Sequence, residues 1–443
     1  MPIGLSGSRP SGLTSSGLAA WITGRRLRVH GTILALCLWS VYAWNIASPG
    51  WRDRHGNLKG TDFSHLYTLG SVALAHRAVD LYDADAQAEL ASRLIPAATG
   101  IRYIPMYPPQ VSIFFAPLAA LPYGTALVIW LAASSLLYAL CCYALWLACP
   151  RLRNERWTVM ILAIAFPGFF HLIVWGQTSA IALACFTAGF FLLRDDLRDQ
   201  RPFLAGLAFG CLIFKPQLGI AAAFIFLYTR AWRVIAGGIL SAAAQLAVPA
   251  IYYGKESLGA WMRTMSSVVF NVSLLEPRPY QTHNLRIFWS MLVPGHTLPF
   301  VLYVLSALVI LGLTASVWNG AWSHRPDLPF ALRYSALLLA SVLVAPHLIV
   351  YDLVILAPVF LLLSDWLIGR SLVDHATIAH STIAQQPGAN SYMKVVLYSA
   401  YLAPLAGGPI ARWTHLQVSV VLMSVLVWMI WRASRSSPVA LAA

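Results

Sequence analysis

Long runs of hydrophobic residues, separated by short polar segments, make up most of the chain. A helix needs about 20 apolar residues to cross the hydrocarbon core of a membrane. Many runs approach this length, and the pattern predicts an all-α integral membrane protein with about twelve transmembrane helices. The predicted helices cover residues 27–44, 126–148, 157–174, 179–193, 203–214, 218–228, 234–252, 298–318, 331–345, 348–367, 395–405 and 417–431.

A polar segment, residues 48–106, follows the first predicted helix. It contains two helical patterns, 62–78 and 83–94, and we interpret it as an outer loop with juxtamembrane helices. Because apolar residues recur at helical spacing in the first pattern, this helix can lie flat on the membrane surface. The run 111–121 is too short to cross alone. It either re-enters the membrane or forms a shortened span, and the re-entrant interpretation keeps the short basic loops on one side.

Other predicted helices, notably 203–214 and 218–228, are also too short to cross a membrane alone. Irregular backbone at membrane depth is tolerated only where it is buried in protein or lines a water-filled cavity. We therefore expect the tips of these helices to meet such a cavity, and the chemistry of the protein to take place there.

Composition agrees with a membrane protein, since 59% of the 443 residues are hydrophobic, 10% are charged and the mean hydropathy is +0.68. Lysine and arginine outnumber the acidic residues by 30 to 16. In membrane proteins this excess is typical of cytoplasmic loops, and no basic run indicates nucleic-acid binding. Arg25 and Arg26 precede the first predicted helix and Arg28 lies at its start, and these three residues predict a cytoplasmic N-terminus. We place the protein in a bacterial inner membrane.

We divide the chain into a disordered cytoplasmic tail (residues 1–24), one transmembrane domain (25–435) and a second cytoplasmic tail (436–443). A cleaved signal peptide is the alternative for the first residues, but the polar lead is long and no small-x-small cleavage site is evident. The six cysteines lie in or at the ends of apolar segments, and no Cys/His cluster has the spacing of metal ligands. We therefore expect no disulfide, no metal site and no other cofactor.

Polar residues at the outer ends of the predicted helices are the candidates for function. An ionisable side chain at membrane depth is costly unless it is paired or hydrated. In the predicted topology the informative polar groups come from distant parts of the sequence and converge on one face. They are Asp62 and His65, Gly176-Gln177, Lys215-Pro216-Gln217, Thr282-His283-Asn284-Leu285-Arg286, and Pro346-His347 with Tyr351-Asp352.

Short motifs in a fixed order extend from residue 62 to residue 353, and through them the chain resembles glycosyltransferase family 87 of the GT-C superfamily. Members of that family include polyprenyl-phosphate-mannose-dependent mannosyltransferases. The motifs are Asp62-Phe63, Leu81-Tyr82-Asp83, Tyr107-Pro108-Pro109, residues 116–123, Gly176-Gln177, residues 205–210, Lys215-Pro216-Gln217, Trp232-Arg233, Ala345-Pro346-His347 and Tyr351-Asp352-Leu353.

The resemblance implies a GT-C-type helical bundle and an inverting hexosyltransferase. Its donor would be a polyprenyl monophosphate that carries a hexose, with mannose favoured. Its acceptor would be a hydroxyl of a lipid or glycan on the extracytoplasmic face, so the active site would face the periplasm or the cell exterior.

The resemblance assigns a role to Asp62, and the chemistry of the implied reaction suggests roles for the other residues. Asp62 matches the catalytic base, which removes the proton of the attacking hydroxyl. Positive groups stabilise the charge that develops on the leaving phosphate, a role for Lys215, His347 and Arg286. Next to two prolines, Tyr107 can fix an extended turn or contact substrate. Sugar or acceptor contacts are expected from the other polar residues, namely His65, Tyr107, Gln177, Gln217, His283, Asn284 and Asp352.

Most of these residues also have a structural alternative. Asp62 can cap the helix that follows it, and Lys215 can snorkel towards the interface. His347 can cap backbone carbonyls, and Asp352 can pair with Arg286.

Two other classes of function are compatible with a polar site among apolar helices. A transporter or flippase of a lipid-linked or amphipathic solute would show paired repeats and polar groups accessible from both sides. An inactive membrane scaffold would leave the costly buried ions unexplained. The sequence shows no evident repeat and places its polar tips on one side, which favours the enzyme.

Overall fold

The structure is a computed structural model that describes residues 22–194, 201–268, 271, 276, 278–319, 329–378 and 389–435. Within these ranges the chain forms helices and turns but no strand. The predicted tail 436–443 lies outside the described residues, as does nearly all of the predicted tail 1–24, whose last residue, Gly24, begins the first helix.

Eighteen α-helices are described. They are α1 (Gly24–Ile46), α2 (Thr61–Leu74), α3 (Ala84–Leu94), α4 (Gln110–Ala119), α5 (Tyr123–Leu147), α6 (Arg156–Ala165), α7 (Pro167–Trp175), α8 (Ser179–Leu193), α9 (Pro202–Gly210), α10 (Ile220–Tyr228), α11 (Trp232–Tyr253), α12 (Glu256–Val268), α13 (Leu285–Leu292), α14 (Thr297–Trp318), α15 (Phe330–Val344), α16 (Ala357–Ile378), α17 (Ala389–Thr414) and α18 (Val418–Arg435). Short 3-10 helices cover Ala78–Tyr82, Pro96–Ala98, Pro150–Glu155, Cys211–Phe214, Pro216–Gly219, Pro279–Gln281 and Val350–Leu356.

By length and composition, six described helical segments can cross a membrane, and the protein is therefore a membrane protein. These segments are α1, α5, α11, α14, Val350–Ser371 and α18. The predicted helix 157–174 is instead broken into α6 and α7, which with the preceding 3-10 helix form a seventh candidate span bent by 43°. The break falls where Pro167 has no backbone N–H to continue the helix.

Five further apolar helices are shorter than a full span, so the prediction of about twelve transmembrane helices is not confirmed. One of them, α15, is buried on all sides from Leu332 to Val344. Because α15 runs through the centre of the bundle, it fixes the position of the chain tip that follows Val344.

Contacts between distant residues define two ends of the bundle. At one end, which we call the Glu155 end, Arg28 near the start of α1 donates to Glu155 at 2.9 Å, and Glu155 follows the end of α5. At the other, the Lys59 end, Tyr123 at the start of α5 donates its hydroxyl to the Lys59 carbonyl at 2.7 Å. Helices α1 and α5 therefore run in opposite directions. The chain between α1 and α5, which includes α4, therefore begins and ends at the Lys59 end.

Helix α2 does not lie flat at a surface, as its pattern had suggested. Phe63 and Leu66 are fully buried, and so are polar residues on the same helix such as Ser64. A Cβ atom on Gly70 would lie 2.6 Å from the Phe115 carbonyl oxygen, so glycine is needed for the close approach of α2 to α4. This packing holds the first turn of α2, with Asp62, inside the protein.

Candidate active site

A cavity of about 750 Å³ at the Lys59 end brings together most of the polar residues that the sequence singled out. Its volume is within the usual range for small-molecule sites, about 300–1,000 Å³. Nine of the eleven predicted site residues line it: Asp62, His65, Tyr107, Gln177, Lys215, Gln217, Arg286, His347 and Asp352. They come from six separate stretches of the chain, and their side chains thus converge on one cavity.

Asp62 lies in the first turn of α2 and is partly exposed to this cavity. It does not cap the helix, because the cap position belongs to Gly60, in the left-handed conformation with φ of 68°. Its carboxylate accepts a hydrogen bond from the Gln177 side-chain amide. Burial raises the pKa of Asp62 to about 6, although the Gln177 hydrogen bond and the charge of Lys215 act in the opposite direction. A carboxylate with this pKa is ionised at neutral pH and is matched to proton abstraction there.

The backbone around Gln177 is held in place from two sides. Gly176 ends α7 with φ of 70°, and a Cβ atom there would lie 2.8 Å from the Cβ of Phe63. The Trp130 indole donates to the Gly176 carbonyl at 2.8 Å. Glycine at this turn therefore permits the close contact between α7 and α2 that brings Gln177 to Asp62.

The side chain of Gln177 connects Asp62 with two other residues of the cavity. Its Oε1 accepts from the Tyr107 hydroxyl at 3.0 Å and lies 3.4 Å from the Lys215 ammonium, while its amide nitrogen donates to Asp62. These bonds fix the amide orientation, since the oxygen must face the donors and the nitrogen the carboxylate. Gln177 thus orients Asp62.

Lys215 and Asp352 form a buried ion pair of 2.7 Å between Nζ and Oδ1. Lys215 is 5% exposed and Asp352 is 1% exposed, so Lys215 does not snorkel to the interface. The Ser179 hydroxyl lies 3.1 Å from the ammonium and also donates to the carboxylate. The sequence left open a pair of Asp352 with Arg286, and the structure shows a pair of Asp352 with Lys215. Both charges border the cavity.

His347 has a partner that the sequence did not reveal. Its Nδ1 lies 2.6 Å from Oε1 of Glu276, whose side chain is almost fully buried. Burial alone would lower the pKa of His347, but the charge and hydrogen bond of Glu276 outweigh it and raise this pKa above its ordinary value. Because its ring binds a carboxylate, the position of His347 is explained without the alternative role of capping backbone carbonyls. No local pattern marks Glu276, because its partner lies 71 residues further along the chain.

His65 lines the cavity in a neutral form. Its Nε2 lies 3.1 Å from Oε1 of Gln87, and its ring stacks on Tyr103 with centroids 4.8 Å apart. The Gln87 amide nitrogen already donates to two backbone carbonyls, so Oε1 accepts from the imidazole N–H. Burial lowers the pKa of His65 to about 4. His65 can therefore shape the site but does not act as a cation at neutral pH.

Two predicted contact residues, His283 and Asn284, do not line the cavity. Asn284 is the N-cap of α13, where its Oδ1 accepts from the Ile287 amide at 2.9 Å. His283 lies 2.7 Å from the Ser419 hydroxyl and is 1% exposed. The structure thus does not bring these two residues to the cavity, whereas Arg286, two residues after Asn284 on α13, lines it.

Aromatic side chains that the sequence analysis did not assign to the site form part of its wall. Tyr103, Trp175, Trp261 and Tyr351 all line the cavity. Aromatic rings offer flat apolar surfaces with a polar edge. The cavity thus combines charged groups with surfaces that can pack on the apolar face of a sugar or on a hydrocarbon chain. Aromatic residues at the ends of apolar segments are the sequence signal that could have pointed to these residues.

The family of the chain is established by a comparison with protein-family models, which matches residues 106–346 to glycosyltransferase family 87. The chain belongs to this family. No curated protein and no solved structure matches it. The protein is therefore a membrane glycosyltransferase, as the motifs in the sequence had predicted.

In this family 87 glycosyltransferase, the matched region contains Lys215 and Arg286 and ends one residue before His347. Asp62 and Asp352 lie outside it, and their assignment to the site depends on the geometry of the cavity. Among the residues that the structure describes, no group of three or more His, Cys, Asp or Glu side chains is arranged to hold a metal ion.

A second cavity, of about 490 Å³, lies towards the Glu155 end and contains none of the predicted site residues. It is lined largely by apolar and aromatic side chains, with Arg151, Glu155 and Lys394 among the charged ones. Because none of the predicted site residues lines this second cavity, the cavity at the Lys59 end is the candidate active site.

Proposed function

We propose that this glycosyltransferase is an inverting enzyme that moves a hexose from a polyprenyl monophosphate to an acceptor hydroxyl. The observation that carries the proposal is that Asp62 shares one cavity with the cationic side chains of Lys215, Arg286 and His347. A glycosyl donor with a phosphate leaving group needs both kinds of group, one for the proton and one for the developing negative charge.

In the proposed reaction the acceptor oxygen attacks the anomeric carbon of the donor, and Asp62 accepts the hydroxyl proton. The bond between the anomeric carbon and the phosphate oxygen breaks, and its electron pair leaves with polyprenyl phosphate. Gln177 orients the Asp62 carboxylate. Attack from the side opposite the leaving group inverts the anomeric configuration. The cations stabilise the phosphate as it gains charge.

The proposed sidedness follows from the distribution of basic residues. Arg28, Arg151, Arg153 and Arg156 all lie at the Glu155 end, near the ends of α1, α5 and α6. Short loops rich in arginine remain in the cytoplasm. The candidate active site at the opposite end would then face the periplasm or the cell exterior of a bacterial inner membrane.

Mannose is the proposed sugar, and a lipid or glycan is the proposed acceptor, because of the sequence motifs shared with mannosyltransferases of the family. Contacts to the sugar and acceptor are assigned to the polar residues that line the cavity, among them Gln217 and Tyr107. The aromatic wall supports an amphipathic donor, and the GT-C-type bundle is proposed on the same resemblance.

The test uses the full chain in proteoliposomes with polyprenyl-phosphate-mannose and a lipid extract as acceptor. We expect polyprenyl phosphate to be released in step with the appearance of a mannosylated product whose anomeric configuration is opposite to that of the donor. A panel of donors with other hexoses identifies the sugar. Movement of labelled donor across the vesicle without cleavage would contradict the proposal and favour the transporter.

A further inference from the structure

Glu276 is a buried carboxylate outside the predicted catalytic set. Its exposed fraction is 4%, and both carboxylate oxygens are engaged. Oε1 lies 2.6 Å from Nδ1 of His347, and Oε2 accepts from the Thr282 hydroxyl at 2.9 Å. A buried carboxylate is costly unless it is paired. The position of Glu276 is thus fixed by its partners, and the main partner is a residue of the active site.

Thr282, which binds Glu276, and His283 are anchored next to the chain tip that carries His347. The His283 amide donates to the Leu348 carbonyl at 3.2 Å, and Thr282 forms an isolated β-bridge with Ile349. The Gln417 side chain donates to the Thr282 carbonyl at 2.9 Å. These contacts fix Thr282 beside the tip that carries His347, and the Thr282 hydroxyl in turn binds the Glu276 carboxylate.

The imidazole lies between Glu276 and the cavity. His347 lines the cavity, whereas Glu276 does not. Since Nδ1 is used by the carboxylate, Nε2 at the opposite edge of the ring is the nitrogen left for a ligand. An imidazole that donates Nδ1–H to a carboxylate has its ring orientation fixed and its basicity increased.

We propose that Glu276 is a positioning residue that keeps His347 protonated, so that its Nε2–H donates to the leaving phosphate of the donor. This inference rests on the proposed function, because the phosphate is that of a polyprenyl-phosphate sugar. Glu276 acts through His347 and does not touch the substrate.

Several other charged groups face His347 across the cavity and also influence its pKa. Asp352 favours the imidazolium, whereas Lys215 opposes it. The charge of His347 also acts to lower the pKa of Asp62. The charge of Glu276 acts to raise the pKa of Arg286. Glu276 bonds the ring directly, with Oε1 at 2.6 Å from Nδ1. Removal of the Glu276 charge would therefore lower the pKa of His347 and restrict the imidazolium to lower pH.

The test measures binding of polyprenyl phosphate to the full chain in detergent between pH 5 and 9, for wild type and Glu276→Gln. The amide keeps the size of the side chain and an acceptor for Thr282. We expect affinity at pH 7 to fall about tenfold, as for loss of a charge-assisted hydrogen bond. We also expect the decline of affinity with rising pH to shift to lower pH. Glu89→Gln, which removes an exposed carboxylate on α3, is the matched control and should bind like wild type.

A second pair of variants separates positioning from a general structural role. In a His347→Gln background, Glu276→Gln should cause no further loss of affinity, because its effect passes through the imidazole. An equal loss in both backgrounds would overturn the inference and assign Glu276 to packing or to Arg286. An unchanged pH profile in Glu276→Gln would overturn it as well.

The proposed function fails separately from this inference. If wild type transfers the sugar but Glu276→Gln does so with the same pH profile, only the role of Glu276 is wrong. If wild type binds polyprenyl phosphate with a pH dependence set by Glu276 but never cleaves the donor, the role of Glu276 stands and the transferase mechanism is wrong.

Discussion

Lys215 and Asp352 form a buried pair in the candidate site, and each could serve structure or substrate. Removal of one partner from a buried pair leaves an uncompensated charge, which costs about 3–5 kcal/mol. A single Lys215 variant therefore lowers stability whether or not Lys215 binds the donor. Removal of both charges separates the two roles.

We predict that Lys215→Met strongly lowers the midpoint of thermal unfolding and that Lys215→Met with Asp352→Asn restores most of it. Affinity for polyprenyl phosphate should stay about ten- to hundredfold below wild type in the double variant, because the phosphate has lost a charge-assisted hydrogen bond. The measurements are thermal unfolding in detergent and competition binding. Recovery of both stability and affinity would make the pair purely structural.

For single residues, the sequence predicted which side chains belong to the site better than it predicted which residues they bind. Asp62, Lys215 and His347 could be identified because charged residues are conspicuous among apolar helices. Asn284 was assigned to substrate, although an asparagine before an apolar helical pattern is equally a cap signal. Glu276 was missed because pairing across 71 residues leaves no local pattern.

Among the elements, α2 and α4 determine where Asp62 lies. The two helices approach so closely at Gly70 that an added Cβ would lie 2.6 Å from a backbone oxygen and 2.8 Å from the Cβ of Ala119. Backbone atoms cannot move aside as a flexible side chain can. A larger residue at Gly70 must therefore separate the helices and displace the first turn of α2.

We predict that Gly70→Ala destabilises the protein by about 1–3 kcal/mol, as overpacking of a close contact does, and reduces glycosyl transfer. The matched control is Gly312→Ala on α14, where nothing lies within 4 Å of the added Cβ. Alanine favours the helix there by about 1 kcal/mol, so the control should be neutral or stabilising. Equal unfolding midpoints and equal activities for the two variants would contradict the proposed role of this contact.

Element boundaries were predictable where a local signal exists. Asp83 caps α3, with bonds to the amides of Asp85 and Ala86, at the start of the predicted pattern. The interpretation of α2 as a surface helix was wrong, because periodicity shows which residues are apolar but not that a second helix covers the polar face. The break in the helix before Pro167 could be predicted from the sequence, because proline has no backbone N–H to continue a helix.

For the whole molecule, the proposed function requires that the two ends of the bundle face opposite compartments. The Lys59 end holds α3, whose Arg93 is exposed, and the Glu155 end holds Asn154, which is also exposed. We predict that Arg93→Cys reacts with a membrane-impermeant maleimide in intact spheroplasts, whereas Asn154→Cys reacts only after the membrane is opened. Wild type, whose Cys37 is exposed on α1, provides the background. The reverse pattern would place the active site in the cytoplasm.

The convergence of distant loop tips was predictable because helices too short to cross a membrane must end at a cavity or in protein. The order of the motifs predicted the family. The ion pairs inside the chamber were not predictable, because they depend on how α8, α15 and the 3-10 helix Val350–Leu356 pack. That packing places Ser179 and Lys215 on the same oxygen of Asp352.

The central claim is that the Asp62 carboxylate removes the acceptor proton, and the pH dependence of single-turnover glycosyl transfer tests it most directly. Protonation of Asp62 at low pH would remove the base, and its pKa is about 6. For wild type the rate should therefore rise about tenfold per pH unit up to about pH 6 and then level off, as expected for one essential ionised base. For Asp62→Asn the rate at pH 7 should be lower by about 10²–10⁴, without that rise and with donor binding retained. Wild-type rates in Asp62→Asn, or the same rise in both proteins, would contradict the account.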